Sequence, residues 1–333
     1  MMKKQTSKKI ITGIFFAGMF TVIFLITFSL LYPQDQEKKV YKIILIPKTV
    51  DNANGFWTYL MAGARLGAEE FNVDIEIAGG NYEEDVEGQI QRIKESIQKK
   101  PDAMLVAPCS YSEMTETLRG VVDSGIKLIL IDSVIDKDIS ESIVATDNYL
   151  AGKELGEFTK TLLTENSEIG IVGHVKGTST AIEREKGMRE GLGTYESQVR
   201  DIVFCGSSYD KAYSLTVDML KQYPKIEVIM GTNEWSTVGA ARAIKALGLA
   251  GKVKVVGFDN SIEEIQFLEE GVCHGIIIQK PFNMGYLGVE QAVKILDGKQ
   301  VEKNLDSGSK MITKDNMYEE ENQRLLYPFT GQQ

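Results

Sequence analysis

The sequence predicts an α/β protein with two similar doubly wound parallel-sheet halves, preceded by an apolar N-terminal segment. Three observations lead there. From Tyr41 to Leu296, short apolar runs of strand length alternate with stretches of helical period, which is the pattern of parallel strands joined by crossover helices. The succession of strand, loop, helix and strand occurs in each half, so the chain reads as two copies of one architecture. Separately, the run from Ile10 to Tyr32 carries no charge and follows Lys3, Lys4, Lys8 and Lys9.

That N-terminal run exceeds the about 7–15 residues of a signal-peptide core and fits the roughly 20 needed to span a bilayer. The sequence after it, TFSLLYPQ, is bulky and has no small-x-small cleavage site. Residues 1–32 are therefore expected to form an N-terminal transmembrane helix, its lysines cytoplasmic and the rest of the chain on the extracytoplasmic face of the bacterial cell membrane. A cleaved signal segment is the alternative. Residues 33–39 follow as a linker.

With 333 residues, 43% hydrophobic and 25% charged, the chain is long enough for two domains. Its formal net charge is −10, and subtracting the four N-terminal lysines leaves −14 for the rest. No basic run interrupts that acidity, so nucleic acid is excluded as a partner class. The three cysteines, Cys109, Cys205 and Cys273, are dispersed and odd in number, so they make no disulfide framework. None stands just after the apolar run, where a lipid-modified cysteine belongs.

The first half opens on YKIILIPKTVDNANGFWTYLMAGARLGAEEF, a strand over Tyr41–Ile46 ended by Pro47, a turn over Asp51–Gly55 and a helix from Phe56. Val73–Ala78 reads as the second strand, and Glu84–Lys99 as an amphipathic helix with Ile90, Ile93 and Ile97 on one face. Ala103–Ala107 is a strand, Ser112–Ser124 a helix, and Lys127–Ile131 a strand ending at Asp132. The second half has a helix over Leu150–Leu163, strand Glu168–Val172, loop HVKGTST, helix Ala181–Leu192 and strand Val199–Phe204. After GSSYD come helix Lys211–Gln222, strand Val228–Met230, loop GTNEW, helix Val238–Leu247, strand Lys254–Val256, a helix near Ile262–Glu269, strand His274–Gln279 and helix Met284–Leu296. Residues 319–333 show little periodicity and read as a tail.

In an open α/β sheet, ligands bind beyond the carboxyl ends of the strands. The residues around those ends are Asn54, Phe56, Trp57, Asp132, Arg184, Tyr209, Asn233, Asp259 and Gln279. Carboxylates, amides and a guanidinium suit hydroxyls that each donate and accept, and aromatic rings suit C–H faces, so the mixture matches a sugar. Each residue also has a plainer reading. Phe56 and Trp57 open a helix and can be core; Asn233 and Asp259 can be helix caps. Arg184 stands in a charge run with Glu183, Glu185 and Lys186, and Asp132 and Gln279 can be turn residues.

Taken together, the pieces NANGFW, LILID, ATDN, GTSTAIER, SSYD, GTNE, VVGFD and IIIQKPFNMG resemble the type I periplasmic binding protein family, in the sugar-binding branch of the ribose-binding protein. The resemblance covers Tyr41–Ile312. It implies two lobes joined by a three-crossing hinge near Ala145–Asn148, Gln279–Pro281 and Val301–Leu305, with a ligand held between them. Residues 40–146 and 280–304 then form lobe one, and 147–279 with 305–318 lobe two. Carried over by position, the family's sugar contacts fall on the nine residues named above.

There are departures. Ser133 stands where the ribose-binding branch has an arginine, and the loop before Phe56 is longer and carries Lys48, which either supplies the missing charge or is a solvated loop lysine. Glu234 replaces a more frequent aspartate, and Trp235 follows it. Lys48, Ser133, Glu234 and Trp235 are thus additional candidate contacts.

The resemblance implies a monomeric extracytoplasmic binding protein for a monosaccharide or polyol, serving an ABC-type importer. The alternative is a membrane-anchored receptor that signals to a sensor histidine kinase. An enzyme is the competing class. His174 and His274 fit no zinc spacing, and there is no GxSxG elbow, Walker A or strand-borne GxGxxG. Cys109 reads as a small buried residue rather than a nucleophile. No catalytic residue, metal ligand or cofactor is expected.

Overall fold

The computed structural model describes residues 18–21, 23, 27, 39–51 and 54–327. Residues 18–21, 23 and 27 are helical; the rest of the anchor expected over 1–32, and all of the 33–39 linker except Lys39, lie outside the described residues. Among the described residues no helix is long and apolar enough to cross a membrane. The N-terminal unit ends at Val40, and the chain from Tyr41 onward forms a second unit.

The strands of that second unit are β1 (Lys42–Ile46), β2 (Asp74–Ile77), β3 (Ala103–Val106), β4 (Lys127–Ile131), β5 (Ser142–Ala145), β6 (Glu168–Gly173), β7 (Val199–Phe204), β8 (Ile226–Gly231), β9 (Lys254–Phe258), β10 (Cys273–Gln279), β11 (Asn304–Asp306) and β12 (Ser309–Thr313). The helices are α1 (Gly55–Glu70), α2 (Val86–Gln98), α3 (Thr115–Asp123), α4 (Asn148–Lys160), α5 (Ser179–Leu192), α6 (Tyr209–Gln222), α7 (Glu234–Ala246), α8 (Ile262–Glu270), α9 (Pro281–Leu296) and α10 (Glu320–Leu326). Two six-stranded sheets result, in the orders β11-β5-β4-β3-β1-β2 and β12-β10-β9-β8-β6-β7. All pairs are parallel except β10 with β12. The two-lobe α/β architecture is therefore present, and each sheet repeats one strand order with its switch point beside the first strand, β1 or β6.

The strands are apolar on both faces because helices cover both. In lobe one, Ile44, Ile46, Met104, Val106, Leu128 and Leu130 feed one core, while the alternate residues Ile43, Leu45, Leu105, Ile129 and Ile131 feed the other. Lobe two divides the same way, with Ile229, Val255 and Ile276 in one cluster and Met230, Val256 and Ile277 in the next.

Close approach of helices fixes the site end of lobe one. A Cβ on Gly63 of α1 would lie 1.9 Å from the carbonyl oxygen of Phe282, and one on Gly285 of α9 would lie 1.9 Å from that of Leu60. Only glycine lets these backbones meet. Helix α9, which follows the second crossing, is thereby pinned to α1, whose N-terminus faces the cleft.

The chain passes between the lobes after Ala145, after Gln279 and at Ser307–Gly308. The third passage falls a few residues beyond the expected Val301–Leu305, because the short strand β11 first pairs with β5 in lobe one. The passages are bonded together: Ser307 N–H donates to the Ala145 carbonyl at 2.9 Å, and Thr146 Oγ1 donates to Gln279 Oε1 at 3.0 Å.

Three strands escape the sequence pattern, β5, β11 and β12, each short or of mixed polarity (SIVA, NLD, SKMIT). The expected tail over 319–333 contains a helix. Its residues 320–326 form α10, with Asn322 and Leu326 buried and Asn260 Nδ2 donating to the Leu325 carbonyl at 3.0 Å. Residues 328–333 lie outside the described residues.

Candidate functional site

The carboxyl ends of the two sheets face each other across a narrow cavity of about 20 Å³, room for about one water. Asn54, Phe56, Trp57, Asp132, Arg184, Asn233, Asp259 and Gln279 line it, together with Lys48 and Trp235. Tyr209, Ser133 and Glu234 do not. Three further residues, Glu83, His174 and Thr180, complete the wall.

On the side of lobe one, the chain leaves β1 through Pro47 into Lys48, which is 3% exposed and whose Nζ lies 2.8 Å from Asp132 Oδ2. Asp132 ends β4 at a φ of +64°, a left-handed conformation that a non-glycine residue adopts under local constraint. Ser133 turns its hydroxyl onto the same carboxylate, donating to Oδ2 at 2.6 Å. Asn54 caps α1 by accepting from Trp57 N–H at 3.3 Å. Phe56 and Trp57 meet edge to face with centroids 5.0 Å apart. Trp57 is both core and wall, 1% exposed, with Nε1 donating to Glu83 Oε1 at 2.6 Å.

On the side of lobe two, Asp259 follows β9 with a φ of +80°, the counterpart of Asp132 in the other sheet. Its Oδ2 accepts from Glu234 N–H at 2.9 Å and its Oδ1 from Gln279 Nε2 at 2.7 Å. The cap of α8 is Ser261 rather than Asp259, so the left-handed aspartate is free of that structural duty. Asn233, by contrast, is a cap, accepting from Ser236 N–H at 3.0 Å, and it also faces the cavity. Arg184 is 2% exposed. Its Nε donates to Asn148 Oδ1 at 2.8 Å and its Nη1 to the Thr232 carbonyl at 2.7 Å, while the guanidinium lies 4.2 Å from the centroid of Phe258. The solvated charge-run reading of Arg184 is thus overturned by burial.

His174 lies directly after β6, at the switch point of its sheet. Burial holds its pKa well below the usual value, so the ring is neutral. Its Nδ1 is 2.7 Å from Thr232 Oγ1 and its Nε2 is 2.9 Å from Thr180 Oγ1.

Tyr209 sits outside the cavity because its hydroxyl is drawn to Glu234 Oε1, to which it donates, and because Arg242 covers its ring at 4.8 Å. Its link to the cavity runs through Trp235, whose ring centroid is 6.2 Å from its own.

The lobes touch across the cleft. Asn54 Nδ2 donates to Glu234 Oε2 at 2.9 Å, Ser207 Oγ to Glu83 Oε2 at 2.5 Å, and Val134 N–H to Ser179 Oγ at 2.9 Å. The cavity wall carries three carboxylates, Glu83, Asp132 and Asp259, against two cations, Lys48 and Arg184. Burial pushes the carboxyls of Glu83 and Asp259 up, opposed respectively by Lys48 and by Arg184. Cys109 is a buried thiol pushed up to about 12 by burial, which removes it as a nucleophile. Among the described residues no cluster of potential ligands could hold a metal ion.

This geometry agrees with the comparison to known proteins. The model of the periplasmic binding protein domain matches residues 43–300, and the chain belongs to that family. It is similar to the D-ribose/D-allose-binding protein of Pseudomonas aeruginosa, 25% identical over 313 residues that cover 92% of this chain and 96% of that one. Among solved structures it is similar to a sugar transporter from Clostridium phytofermentans, with 44% identity, a TM-score of 0.79, and 83% of this chain and 100% of that one covered. A second is the carbohydrate transporter solute-binding protein from Agrobacterium radiobacter in complex with D-arabinose. There the identity is 26%, the TM-score 0.82 and the coverage 87% of this chain and 100% of that one. The resemblance carried by NANGFW, LILID and the other strand-end pieces therefore holds.

Glu83, His174 and Thr180 were missed by sequence reasoning. For Glu83 and His174 a signal existed, since each follows the carboxyl end of a strand. For Lys48, buried and 2.8 Å from Asp132 Oδ2, the solvated reading is excluded.

Proposed function

We propose that this chain is an extracytoplasmic solute-binding protein, not an enzyme, that captures one monosaccharide or polyol between its lobes by hinge closure and delivers it to an ABC-type importer. The observation that carries the reading is the pair Asp132 and Asp259. Two buried carboxylates occupy equivalent strand ends in the two sheets, both in the left-handed conformation, and both face one cavity whose walls also bear Phe56, Trp57 and Arg184. Carboxylates, amides and guanidinium reach hydroxyls while the rings meet C–H faces. The D-ribose, D-allose and D-arabinose named for the relatives support the same class.

The wall has one more carboxylate than cation, so a ligand that brings a negative charge is disfavoured. Neutral pentoses, hexoses and polyols are expected to give heat on titration into the fragment from about Lys39 onward, while uronic acids and sugar phosphates are expected to give none. Silence across the neutral panel sinks the reading.

Closure also links binding to protons. Burial pushes the Glu234 carboxyl up to about 7 from an ordinary value near 4.5, with the charges of Asp259, Glu83 and Glu263 adding to the effect and the hydrogen bond from Tyr209 opposing it. Asn54 faces the same carboxylate from lobe one. Of those three charges only Glu83 belongs to the opposite lobe, so opening the cleft removes its share of the rise and closure takes up part of a proton. Affinity is expected to fall as pH rises toward about 7, by less than tenfold per unit. Comparison of wild type with Glu234→Gln isolates this contribution, and equal pH slopes in the two proteins contradict it.

The second reading, an anchored receptor that signals to a sensor histidine kinase, is favoured by one feature, the lysine-flanked apolar run over Ile10–Tyr32 without a lipid-modifiable cysteine. Under either reading the binding domain lies outside the cytoplasmic membrane, and detection of the uncleaved chain in the membrane fraction distinguishes a retained anchor from a cleaved signal.

A further inference from the structure

Glu83 lies in the loop between β2 and α2, is 7% exposed, and bonds residues of both lobes. One oxygen accepts from Trp57 Nε1 at 2.6 Å in its own lobe, and the other accepts from Ser207 Oγ at 2.5 Å in the opposite lobe. Ser207, held in the left-handed conformation at a φ of +52°, accepts in turn from Asn233 Nδ2 at 3.2 Å. A continuous chain of three hydrogen bonds thus runs from an aromatic wall of the cavity to an amide wall on the other side. Its first bond stays within lobe one, and its second exists only while the lobes are together.

A buried indole N–H needs an acceptor, and an unsatisfied one costs free energy. Glu83 meets that need and thereby fixes the plane of the Trp57 ring. The same carboxylate reads the position of lobe two. We propose that Glu83 is a positioning residue for ligand capture, setting the Trp57 ring against the ligand and tying that ring, through Ser207, to Asn233, so that ring orientation and cleft closure are coupled. This inference rests on the reading of the cleft as a sugar site.

The test uses Ser207→Ala, Glu83→Leu and Glu83→Gln in a Trp235→Phe background, which leaves Trp57 as the single tryptophan, since the chain has two. Ser207→Ala removes the bond between lobes and, within lobe two, the acceptor of Asn233 Nδ2, and leaves the bond between Glu83 and Trp57 in place. Its ligand-free Trp57 emission and urea midpoint should match the parent, while the panel sugar that binds the parent should bind about tenfold more weakly, chiefly through faster release, as expected for a bond to a charged group. Glu83→Leu should shift the ligand-free Trp57 emission and weaken binding further, and Glu83→Gln, which keeps an acceptor for the indole and a partner for Ser207, should recover most of both. Parent-like affinity and release rate in Ser207→Ala, or parent-like Trp57 emission in Glu83→Leu, overturn the proposal. The ligand-free emission reads the link between Glu83 and Trp57 without any sugar, so a parent that binds nothing counts against the sugar reading alone.

Discussion

Lys48→Met is expected to leave the fold intact and to weaken ligand capture by about 3–5 kcal/mol, roughly two to three orders of magnitude or more, the cost of stranding one partner of a buried ion pair. Asp132 keeps the Ser133 hydroxyl at 2.6 Å but loses the ammonium at 2.8 Å. Opening the cleft returns its carboxylate to water, so the cost falls on closure rather than on folding. Urea midpoints of wild type and variant should therefore lie close together while calorimetric affinities diverge. The double variant Lys48→Met/Asp132→Asn, which removes both charges, should restore part of the closure and not the affinity, and the coupling is read as a double-mutant cycle. Binding within threefold of wild type in Lys48→Met shows that the pair does not matter to capture.

This pair also shows how far a sequence can be read. The resemblance pointed to a missing positive charge at Ser133, but a contact between Lys48 and Asp132 joins the end of β1 to the end of β4 and depends on how a loop folds back over the cleft. What strands and helices contribute was plainer. Runs such as KIILI and KLILI are apolar at consecutive positions because both faces of the sheet are covered, and they locate β1 and β4 without ambiguity. Several helices were expected to start too late, α7 at Val238 instead of Glu234 and α9 at Met284 instead of Pro281. The reason is functional. Their first turns face the cleft or the hinge, so those turns carry Asn-Glu-Trp-Ser or Pro-Phe-Asn in place of the apolar period that marks the rest of the helix.

The wall residues were legible to the extent that strand ends announce them. Asp132, Asp259 and Gln279 stand there, and Asn233 is at once the helix cap of the plainer reading and part of the cavity wall, as is Asn54, whose cap the sequence analysis did not name. Glu83 was not legible as a partner of Ser207, because that bond crosses between the lobes and joins residues 124 apart in sequence. Tyr209 illustrates the opposite case. Its place after the strand Val199–Phe204, together with the family resemblance, suggested a contact, but a carboxylate at Glu234, longer by one methylene than the aspartate of the family pattern, draws its hydroxyl out of the cavity wall.

Asp259→Ala is expected to reduce affinity by at least about 1.5–3 kcal/mol, roughly 10- to 150-fold, the range for hydrogen bonds to a charged group. Two losses combine there. The ligand loses an acceptor, and Gln279 Nε2 and Glu234 N–H lose the carboxylate that holds them at 2.7 and 2.9 Å, which loosens the tie between the hinge and the start of α7. Backbone strain adds a third effect that must be separated, since alanine at a φ of +80° is penalised by about 1–2 kcal/mol. Asp259→Gly removes the carboxylate and the strain together, so it should unfold at or near the wild-type urea midpoint and still bind weakly. Asp259→Asn tolerates the left-handed backbone and keeps one acceptor, and should fall between the two. If Asp259→Gly binds like wild type, the carboxylate serves only to set the turn after β9, and the symmetry between Asp132 and Asp259 is architectural. If it binds weakly while its stability holds, the carboxylate itself serves capture, and the same test extends to Asp132 in the opposite sheet.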